Sequence, residues 1–338
     1  SPALRRWLAA ALVLAAAGFI AHRIITDLDQ IRGFDWKLRP ALLAASVLVL
    51  SAVLLWGVLV WQLVLRRCGL TVPFRPLARA WFLSNLSRYI PGVVWQFLAL
   101  AQLGPGVGLT PAVTVMSLLV QMGFLLLAAG AMGVWLLPME LAGTLAPLLP
   151  VLRWMAPLVL LAVHPRVIRG ALGVVARVTK RTMPEWGGSW VDGIVFLLIS
   201  AGSWILYGAA FFLFLRAFVD LPASAFWPVT AINALAFIVG YAVVIAPGGA
   251  GFKEGAMALL LAGLLPAGVA ASLAVLSRLW SIAGEVLPAL ALGVRRPRGG
   301  AAAGPLPPAP SSRVSRGEGE NHGAGDATPR AASRTESA

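Results

Sequence analysis

The sequence has few charged residues and only one cysteine. Charged residues make up 12% of the 338 residues and hydrophobic residues 59%, and the mean hydropathy is +0.85. Soluble domains carry about 25% charged residues, so this composition excludes a water-soluble fold. The single cysteine, Cys68, excludes an intrachain disulfide framework and a Cys-x-x-Cys metal site. The sequence therefore predicts an all-α polytopic membrane protein.

Acidic residues are also scarce. The 13 Asp and Glu residues oppose 27 Lys and Arg residues, which gives a formal net charge of +14. In a soluble protein this excess would indicate a nucleic-acid partner, but here most basic residues lie between hydrophobic segments. Basic loops of this kind are typical of membrane topology and attract anionic lipids. We therefore expect no nucleic-acid partner.

Signatures of common active sites are missing as well. The glycine-rich stretch at residues 104–108 is not followed by the Lys-Ser/Thr pair of a P-loop, and no Gly-x-Ser-x-Gly motif occurs. The three histidines lie far apart in the sequence, without the spacing of a zinc site. ATP-driven transport within this chain is thereby excluded. We expect no cofactor, no metal ion and no enzymatic activity.

Hydrophobic segments of about 20 residues, long enough to cross a bilayer core of about 30 Å, recur along most of the chain. They are Trp7 to Ile25, Ala41 to Leu65, Pro111 to Leu137, Leu141 to Val163, Trp190 to Leu215, Trp227 to Ala246 and Ala267 to Gly293. The fourth segment contains Pro147, Pro150 and Arg153, which predicts that its outer end is irregular.

Two further hydrophobic segments do not make regular spans, and the basic loops decide how they run. Trp81 to Leu103 is interrupted by polar residues, and Phe252 to Leu265 is short. The loops at residues 66–79, 166–181 and 295–298 are all basic and are expected on the cytoplasmic side. This requires that Trp81 to Leu103 enters the membrane and returns, and that Phe252 to Leu265 carries the chain across.

The resulting topology has eight transmembrane helices plus a re-entrant segment, with both termini cytoplasmic and the protein in the plasma (inner) membrane. Residues 1–298 form the transmembrane domain. Residues 299–338, rich in Ala, Gly, Pro, Ser and Arg, have little to bury and are expected to be disordered. One feature does not fit, because four basic residues fall on the outer side: Arg23, Arg32, Lys37 and Arg39.

Ionisable residues inside the membrane segments are the first candidates for a functional site. Each costs about 2.5–3.5 kcal/mol on insertion scales, so a role is expected by default. Arg88 lies in the re-entrant segment and Glu254 at the start of the short helix, and the last span carries Arg278 and Glu285. Arg278 and Glu285 lie seven residues apart, on one face of a helix. We expect Glu254 and Arg278 to meet in the bundle. The alternative is that Glu254 with Arg278, or Arg278 with Glu285, forms a buried pair that only locks helices together.

Two interrupted segments add candidate binding residues. Pro247, Gly248, Gly249 and Gly251 precede a helix start beside Lys253, and such a start offers free N–H groups and a positive dipole end for a phosphate. Tyr89, Pro91 and Gly92 form a similar break in the first half. Paired broken helices in two halves are typical of an inverted repeat with a binding site at the midplane. The alternative is that both breaks are simple kinks.

These residues resemble a known family. The stretches FLSNLSRYIPGVVWQFLALAQL (82–103), APGGAGFKEGAMALLL (246–261) and SRLWSIAG (277–284) are similar to the lysylphosphatidylglycerol synthase transmembrane-region family, also called flippase-like domain proteins. Its recurring marks match Tyr89/Pro91/Gly92, Pro247/Gly248/Gly249/Gly251/Glu254 and Arg278. The resemblance implies a module that moves polar or isoprenoid-linked lipids between leaflets. It does not extend to the cytosolic aminoacyl-transferase domain of the family's best known member.

The sequence thus predicts a lipid translocase whose partner is a membrane phospholipid or a lipid-linked sugar, and it leaves open whether the protein is a homo-oligomer. Arg88, Lys253 and Arg278 would neutralise a lipid phosphate, and Glu254 and Glu285 would balance those cations or take up a proton. One alternative is a glycosyl or aminoacyl transferase that uses the acidic pair Asp27 and Asp29. Another is a non-catalytic membrane scaffold.

Overall fold

The structure of the protein, a computed structural model, describes Gly18, His22 and residues 25–86, 94–143, 146–179, 186–242 and 251–293. Within these ranges the regular elements are helices and no strand is present, which confirms the predicted all-α class. The helices are α1 (Leu28–Arg32), α2 (Pro40–Arg67), α3 (Phe74–Leu86), α4 (Val94–Leu103), α5 (Pro111–Leu136), α6 (Leu149–Met155), α7 (Val159–Ala162), α8 (Pro165–Thr179), α9 (Trp190–Phe218), α10 (Phe226–Ala242), α11 (Phe252–Leu261) and α12 (Ala267–Ala291).

Five of the described helices are long and apolar enough to cross a membrane, namely α2, α5, α9, α12, and α10 together with the 3-10 turn before it (Ala223–Ala242). The segment from α6 to α8 makes a sixth if that bent pair is one span. Helix α11 has 10 residues, about 15 Å, and cannot cross alone. The predicted first span, Trp7 to Ile25, lies almost wholly outside the described residues. The multi-pass helical architecture is confirmed, and the count of eight crossings stays a prediction.

Helix α9 shows how the sequence fixes the ends of a spanning helix. The Ser189 hydroxyl accepts a hydrogen bond from the Asp192 N–H at 3.1 Å, and the Asp192 carboxylate accepts one from the Ser189 N–H at 2.8 Å. This reciprocal capping satisfies backbone donors that the first turn of a helix leaves free. Helix α9 packs against α2, α5 and α10.

Helices α2 and α5 run in opposite directions. Trp61 Nε1 donates to the Ser117 hydroxyl at 2.9 Å, and Gln121 Nε2 donates to the Gly57 carbonyl at 2.7 Å. A residue later in α5 therefore meets a residue earlier in α2, as antiparallel neighbours require. The C-terminal end of α2 and the N-terminal end of α5 consequently lie at the same end of the bundle.

Helices α2 and α12 run in the same direction. Trp280 Nε1 donates to the Ser46 hydroxyl at 3.1 Å, and the Ser51 hydroxyl donates to the Gly284 carbonyl at 3.0 Å. Gly284 is needed at this crossing, because a Cβ there would overlap the Leu50 side chain. The C-terminal ends of α2 and α12 therefore lie together.

Two polar contacts place the flanks of the three basic loops at one end of the bundle, which we call the basic end. Arg67, the last residue of α2, pairs with Asp192 in the first turn of α9 at 2.8 Å. Arg79 Nε donates to the carbonyl of Leu292, just beyond α12, at 2.7 Å. The sequence-based requirement that these loops share one side agrees with this geometry.

Helix α2 ends at the basic end, and α5 begins at the same end with Pro111. Between these points lie α3 and α4, which pack against each other and measure only about 20 and 15 Å. Neither helix is long enough to cross the bilayer, so the arrangement fits a segment that enters and returns. The break between them, residues 87–93, lies outside the described residues.

Two of the basic residues at the opposite end, Lys37 and Arg39, are paired with acids, which accounts for part of the excess that the topology rule left unexplained. Arg39 forms an ion pair with Asp220, and its Nη1 donates to the Arg216 carbonyl at 2.8 Å. Lys37 pairs with Asp35 at 2.9 Å. The Arg39 guanidinium lowers the pKa of Asp220, and the hydrogen bond that Lys37 donates to the Asp35 carboxylate raises the pKa of Lys37. These charges therefore hold α2 to the end of α9.

The fourth predicted span is shorter than expected. Residues 139–141 form a 3-10 turn, and the α-helix begins only at Leu149, which agrees with the predicted irregular outer end. The Arg153 guanidinium of α6 donates to the Val134 and Leu137 carbonyls at the end of α5, at 3.2 and 2.6 Å, and so holds the two helices together. After Ala162 the chain bends by 82° into α8.

Candidate functional site

A cavity of about 140 Å³ lies between α2, α9, α10, α11 and α12, and we call it the charged cavity. Its polar lining residues are Tyr207, Asn233, Tyr241, Lys253, Glu254, Ser277, Arg278, Ser281 and Glu285. Four ionisable residues predicted from the sequence, from α11 and α12, therefore meet at one place. Two are basic and two acidic, so the cavity can bind both negatively and positively charged groups of a ligand.

Glu254 is fixed by the way α11 begins. Gly251 precedes the helix with a φ of 85°, a conformation that favours glycine. Its N–H donates to Glu254 Oε2 at 2.7 Å, so the glutamate three residues later closes the first turn. The carboxylate is thereby held at the start of the helix, in the cavity wall.

Glu254 meets Arg278 across two helices, as the sequence predicted. Arg278 Nη1 donates to Glu254 Oε1 at 3.0 Å. The Glu254 side chain is 9% exposed, whereas that of Arg278 is 37% exposed and reaches into the cavity. Arg278 is the twelfth of the 25 residues of α12, roughly 17 Å along the helix axis. The ion pair therefore lies near mid-depth of the bundle.

The predicted single face of α12 is present in the structure. Arg278, Ser281 and Glu285 all line the charged cavity. Glu285 is 4% exposed, so a second buried carboxylate lies along the same helix face. The Ser281 hydroxyl donates to the Ser277 carbonyl at 2.8 Å, which leaves its oxygen able to accept a bond.

Lys253 reaches the cavity because α10 and α11 approach closely. A Cβ on Gly240 of α10 would lie 3.0 Å from the Lys253 Cβ, so a larger residue would push the two helices apart. Lys253 lines the cavity beside Glu254. The role that the sequence assigned to it, as a cation near a helix start, stays a prediction.

Several cavity residues were missed by the sequence argument. Asn233 is 5% exposed in the otherwise apolar α10, and an amide in such a helix is the same kind of signal as a charge. The chain contains only three tyrosines, and Tyr207 and Tyr241 both line the cavity. Their rarity could have identified them. The third, Tyr89, is the one that the sequence argument did select.

Aromatic rings form part of the cavity wall. Trp204 lies 5.5 Å from Tyr207 and 5.1 Å from Phe237, and Phe237 lies 4.5 Å from Tyr241, measured between ring centroids. Trp204 Nε1 donates to the Leu125 carbonyl at 2.9 Å, which fixes the indole. The lining therefore combines flat apolar rings with charged groups, a combination that suits a polar ligand with an apolar face.

The remaining predicted site residues cannot be placed. Arg88, Tyr89, Pro91, Gly92, Pro247, Gly248 and Gly249 lie outside the described residues. The helix before the first of these breaks, α3, packs against α12. The second break is followed directly by Gly251 and α11. Their place in the site stays a prediction. The inverted repeat also stays a prediction.

The acidic pair Asp27 and Asp29 lies away from the charged cavity. A Cβ on Gly268, at the start of α12, would lie 2.7 Å from the Asp27 Cβ, so Asp27 packs against that helix end. Gln30 Nε2 donates to Asp27 Oδ1 at 3.4 Å. Across the part of the chain that the structure describes, no group of three or more His, Cys, Asp or Glu residues is placed to hold a metal ion.

The fold and the cavity define a polytopic helical membrane protein with a polar site enclosed by its membrane helices. Residues 5–289 match the family described as the lysylphosphatidylglycerol synthase TM region, and the chain belongs to that family. No curated protein and no solved structure matches the chain. The family indicates a role related to membrane lipids, and its match includes all the residues that line the charged cavity.

Proposed function

We propose that the protein is a lipid translocase whose charged cavity carries a polar headgroup across the bilayer. The observation that carries this proposal is the Glu254–Arg278 ion pair at mid-depth, with Glu285 on the same helix face. A charge in a membrane helix costs about 2.5–3.5 kcal/mol on insertion scales, so four such residues in one cavity call for a function. A headgroup in transit needs polar partners at this depth.

The cavity offers partners for each part of such a lipid. Arg278 and Lys253 would bind the phosphate, because a guanidinium and an ammonium both suit an anionic oxygen. Glu254 and Glu285 would balance these cations or take up a proton. The aromatic wall would contact the apolar face of a headgroup or sugar. The acyl or isoprenoid chains would stay in the surrounding lipid.

The proposed partner is accordingly a phospholipid or a lipid-linked sugar, and the proposed activity is movement without chemical change. We place the protein in the plasma membrane with the basic end on the cytoplasmic side, because cytoplasmic loops carry an excess of Lys and Arg. Transport would be facilitated or driven by a gradient, since the sequence carries no ATP-binding motif.

The test is a transport assay with purified protein in liposomes that contain a fluorescent anionic phospholipid. A reductant outside the vesicles bleaches only the outer leaflet, so faster total bleaching reports movement. We expect wild-type protein to speed this movement and the double variant Glu254→Gln with Arg278→Gln to abolish it while remaining folded. In a parallel sample without reductant, the recovered lipid should have an unchanged mass, whereas a transferase would alter it.

The matched control is Arg67→Gln, which removes one member of an ion pair at the basic end, outside the charged cavity. Transport by this variant should equal that of wild type. A folded double variant that moves lipid at the wild-type rate would contradict the proposal and favour a purely structural ion pair.

A further inference from the structure

Helix α8 leaves the basic end of the bundle nearly at right angles to the helix before it. Trp190 Nε1, at the start of α9, donates to the Leu160 carbonyl at 3.1 Å, and its ring lies 5.8 Å from that of His164. The end of α7 therefore lies beside the start of α9, where Arg67 pairs with Asp192. Because α6 and α7 run toward this end, the bend of 82° turns α8 nearly perpendicular to them, the direction of a helix that lies in the membrane surface.

One face of α8 is basic. Arg166, Arg169 and Arg177 are exposed, and their spacing places them on one side of a helix with 3.6 residues per turn. Arg177 Nε donates to the Gly173 carbonyl, one turn earlier in the same helix, at 3.3 Å. Within the described ranges no acidic side chain forms an ion pair with any of the three arginines. Among the described residues, this face of α8 therefore carries positive charge without an acidic partner.

The other faces of α8 are apolar. Leu172 is 8% exposed and packs against the bundle, whereas Val167 and Val174 are 50% and 52% exposed. In a membrane protein such exposed aliphatic side chains meet acyl chains. A helix with one charged face and one apolar face is typical of the membrane interface, where the first faces headgroups and the second faces the chains.

An apolar groove of about 210 Å³ lies between α5, α7 and α8. Leu119, Gly123 and Leu127 of α5 line one wall, and Ala171 and Val175 of α8 line another. Leu119 is 36% exposed, so the groove opens at the surface of the bundle and not into the charged cavity. The two sites share no lining residue.

We propose that α8 and this groove bind one anionic phospholipid of the leaflet at the basic end. Arg166 and Arg169 hold its phosphate, and one of its acyl chains lies in the groove. The occupant is a whole lipid, because the groove is lined by apolar residues and accepts an apolar chain, while the exposed arginines on the other face of the same helix select an anionic headgroup. This site is separate from the translocation pathway and holds a lipid that stays in one leaflet.

Gly123 makes the groove testable. A Cβ on Gly123 would have no neighbour within 4 Å, so a larger side chain fits there and fills the groove without displacing the bundle. Gly202 of α9 is equally unobstructed and lines neither the groove nor the charged cavity. Gly123→Leu is therefore the test variant and Gly202→Leu its matched control.

The experiment uses the full chain in lipid nanodiscs with a phosphatidylglycerol that carries a photoreactive diazirine on one acyl chain. Peptide mass spectrometry then locates the adducts. We expect adducts on residues 119–127 and 167–175 that unlabelled phosphatidylglycerol displaces and phosphatidylcholine does not. Replacing Arg166 or Arg169 by glutamine should raise the concentration of phosphatidylglycerol needed for displacement. The expected increase is about five-fold for each arginine, the equivalent of about 1 kcal/mol.

Gly123→Leu should remove these adducts, and Gly202→Leu should keep them. Adducts elsewhere on the chain serve as the internal standard for folding and reconstitution. Equal displacement by phosphatidylcholine would overturn the assignment of an anionic lipid. Unchanged labelling of residues 119–127 in Gly123→Leu would overturn the groove as the place of the acyl chain.

Discussion

Replacing one member of the Glu254–Arg278 ion pair should destabilise the protein by an amount that depends on which member is lost. Arg278→Gln leaves the nearly buried carboxylate without its cation, and we expect a loss of about 3–5 kcal/mol, typical of a broken buried pair. Glu254→Gln leaves a guanidinium that is 37% exposed in the cavity. The new amide oxygen can still accept the Gly251 N–H. The loss should therefore be about 1.5–3 kcal/mol, the size of a hydrogen bond to a charged group.

The double variant Glu254→Gln with Arg278→Gln should be more stable than Arg278→Gln alone. It removes both charges, so neither is left uncompensated, and two amides can still form a hydrogen bond across this contact. The Arg67–Asp192 ion pair, whose arginine is more exposed, gives a reference for the cost of breaking a surface pair. Arg67 is 54% exposed, so Arg67→Gln should cost under about 1 kcal/mol.

The assay is thermal unfolding of the purified variants in one mild detergent, followed by tryptophan fluorescence. The expected order of stability is wild type, Glu254→Gln, then Arg278→Gln, with the double variant above Arg278→Gln. A larger loss for Glu254→Gln than for Arg278→Gln would refute the reasoning, because it would mean that the difference in burial does not set the cost. A double variant that is no more stable than Arg278→Gln would also refute the reasoning.

Three further predictions follow from the fold. Single cysteines at Arg79 and Gly106 should react with an impermeant reagent from the same side, and labelling from opposite sides would contradict the re-entrant segment. Truncation before Gly299 should leave expression and thermal stability unchanged, and degradation of the shortened chain would count against a dispensable tail. The Arg39 ion pair lowers the pKa of Asp220, so its stabilisation is present above the ordinary value of 3.8 and is lost as the pH falls through the lower folded value. Thermal unfolding of Asp220→Asn should therefore change less at acid pH than that of wild type.

The sequence predicts the long spans and the ion pair because both depend on unusual composition. A charge in a long apolar segment is rare and costly, so Glu254, Arg278 and Glu285 stand out without any structure. Spans such as α2, α5 and α9 follow from hydropathy and length alone.

Neutral polar and aromatic residues were missed because their meaning depends on the direction that they face. Asn233 and Tyr241 are tolerated in many membrane helices, and only the packing of α10 against α11 brings them to the cavity. The spacing of residues along one helix does not reveal which neighbouring helix lies opposite. The same limit hid the pairing of Lys37 and Arg39 with Asp220, which lies more than 170 residues away in the sequence.

The fourth span was predicted too long because hydropathy does not register backbone hydrogen bonding. Leu141 to Leu148 is apolar enough to continue a helix, but the structure has only turns where these residues are described. Pro147 and Pro150 remove backbone donors there, and Arg153 turns inward to satisfy carbonyls of α5. The prolines were visible in the sequence, whereas the partner of Arg153 was not.

Glu254 uses its two carboxylate oxygens for different tasks. Oε2 holds the Gly251 N–H, and Oε1 holds the Arg278 guanidinium. A phosphate that took over Arg278 would release only the second bond, and the first turn of α11 would keep its cap. The carboxylate can therefore exchange its cationic partner while the helix start stays intact. In the proposed transport cycle, one residue thereby belongs both to the part of the site that stays fixed and to the part that must release its ligand.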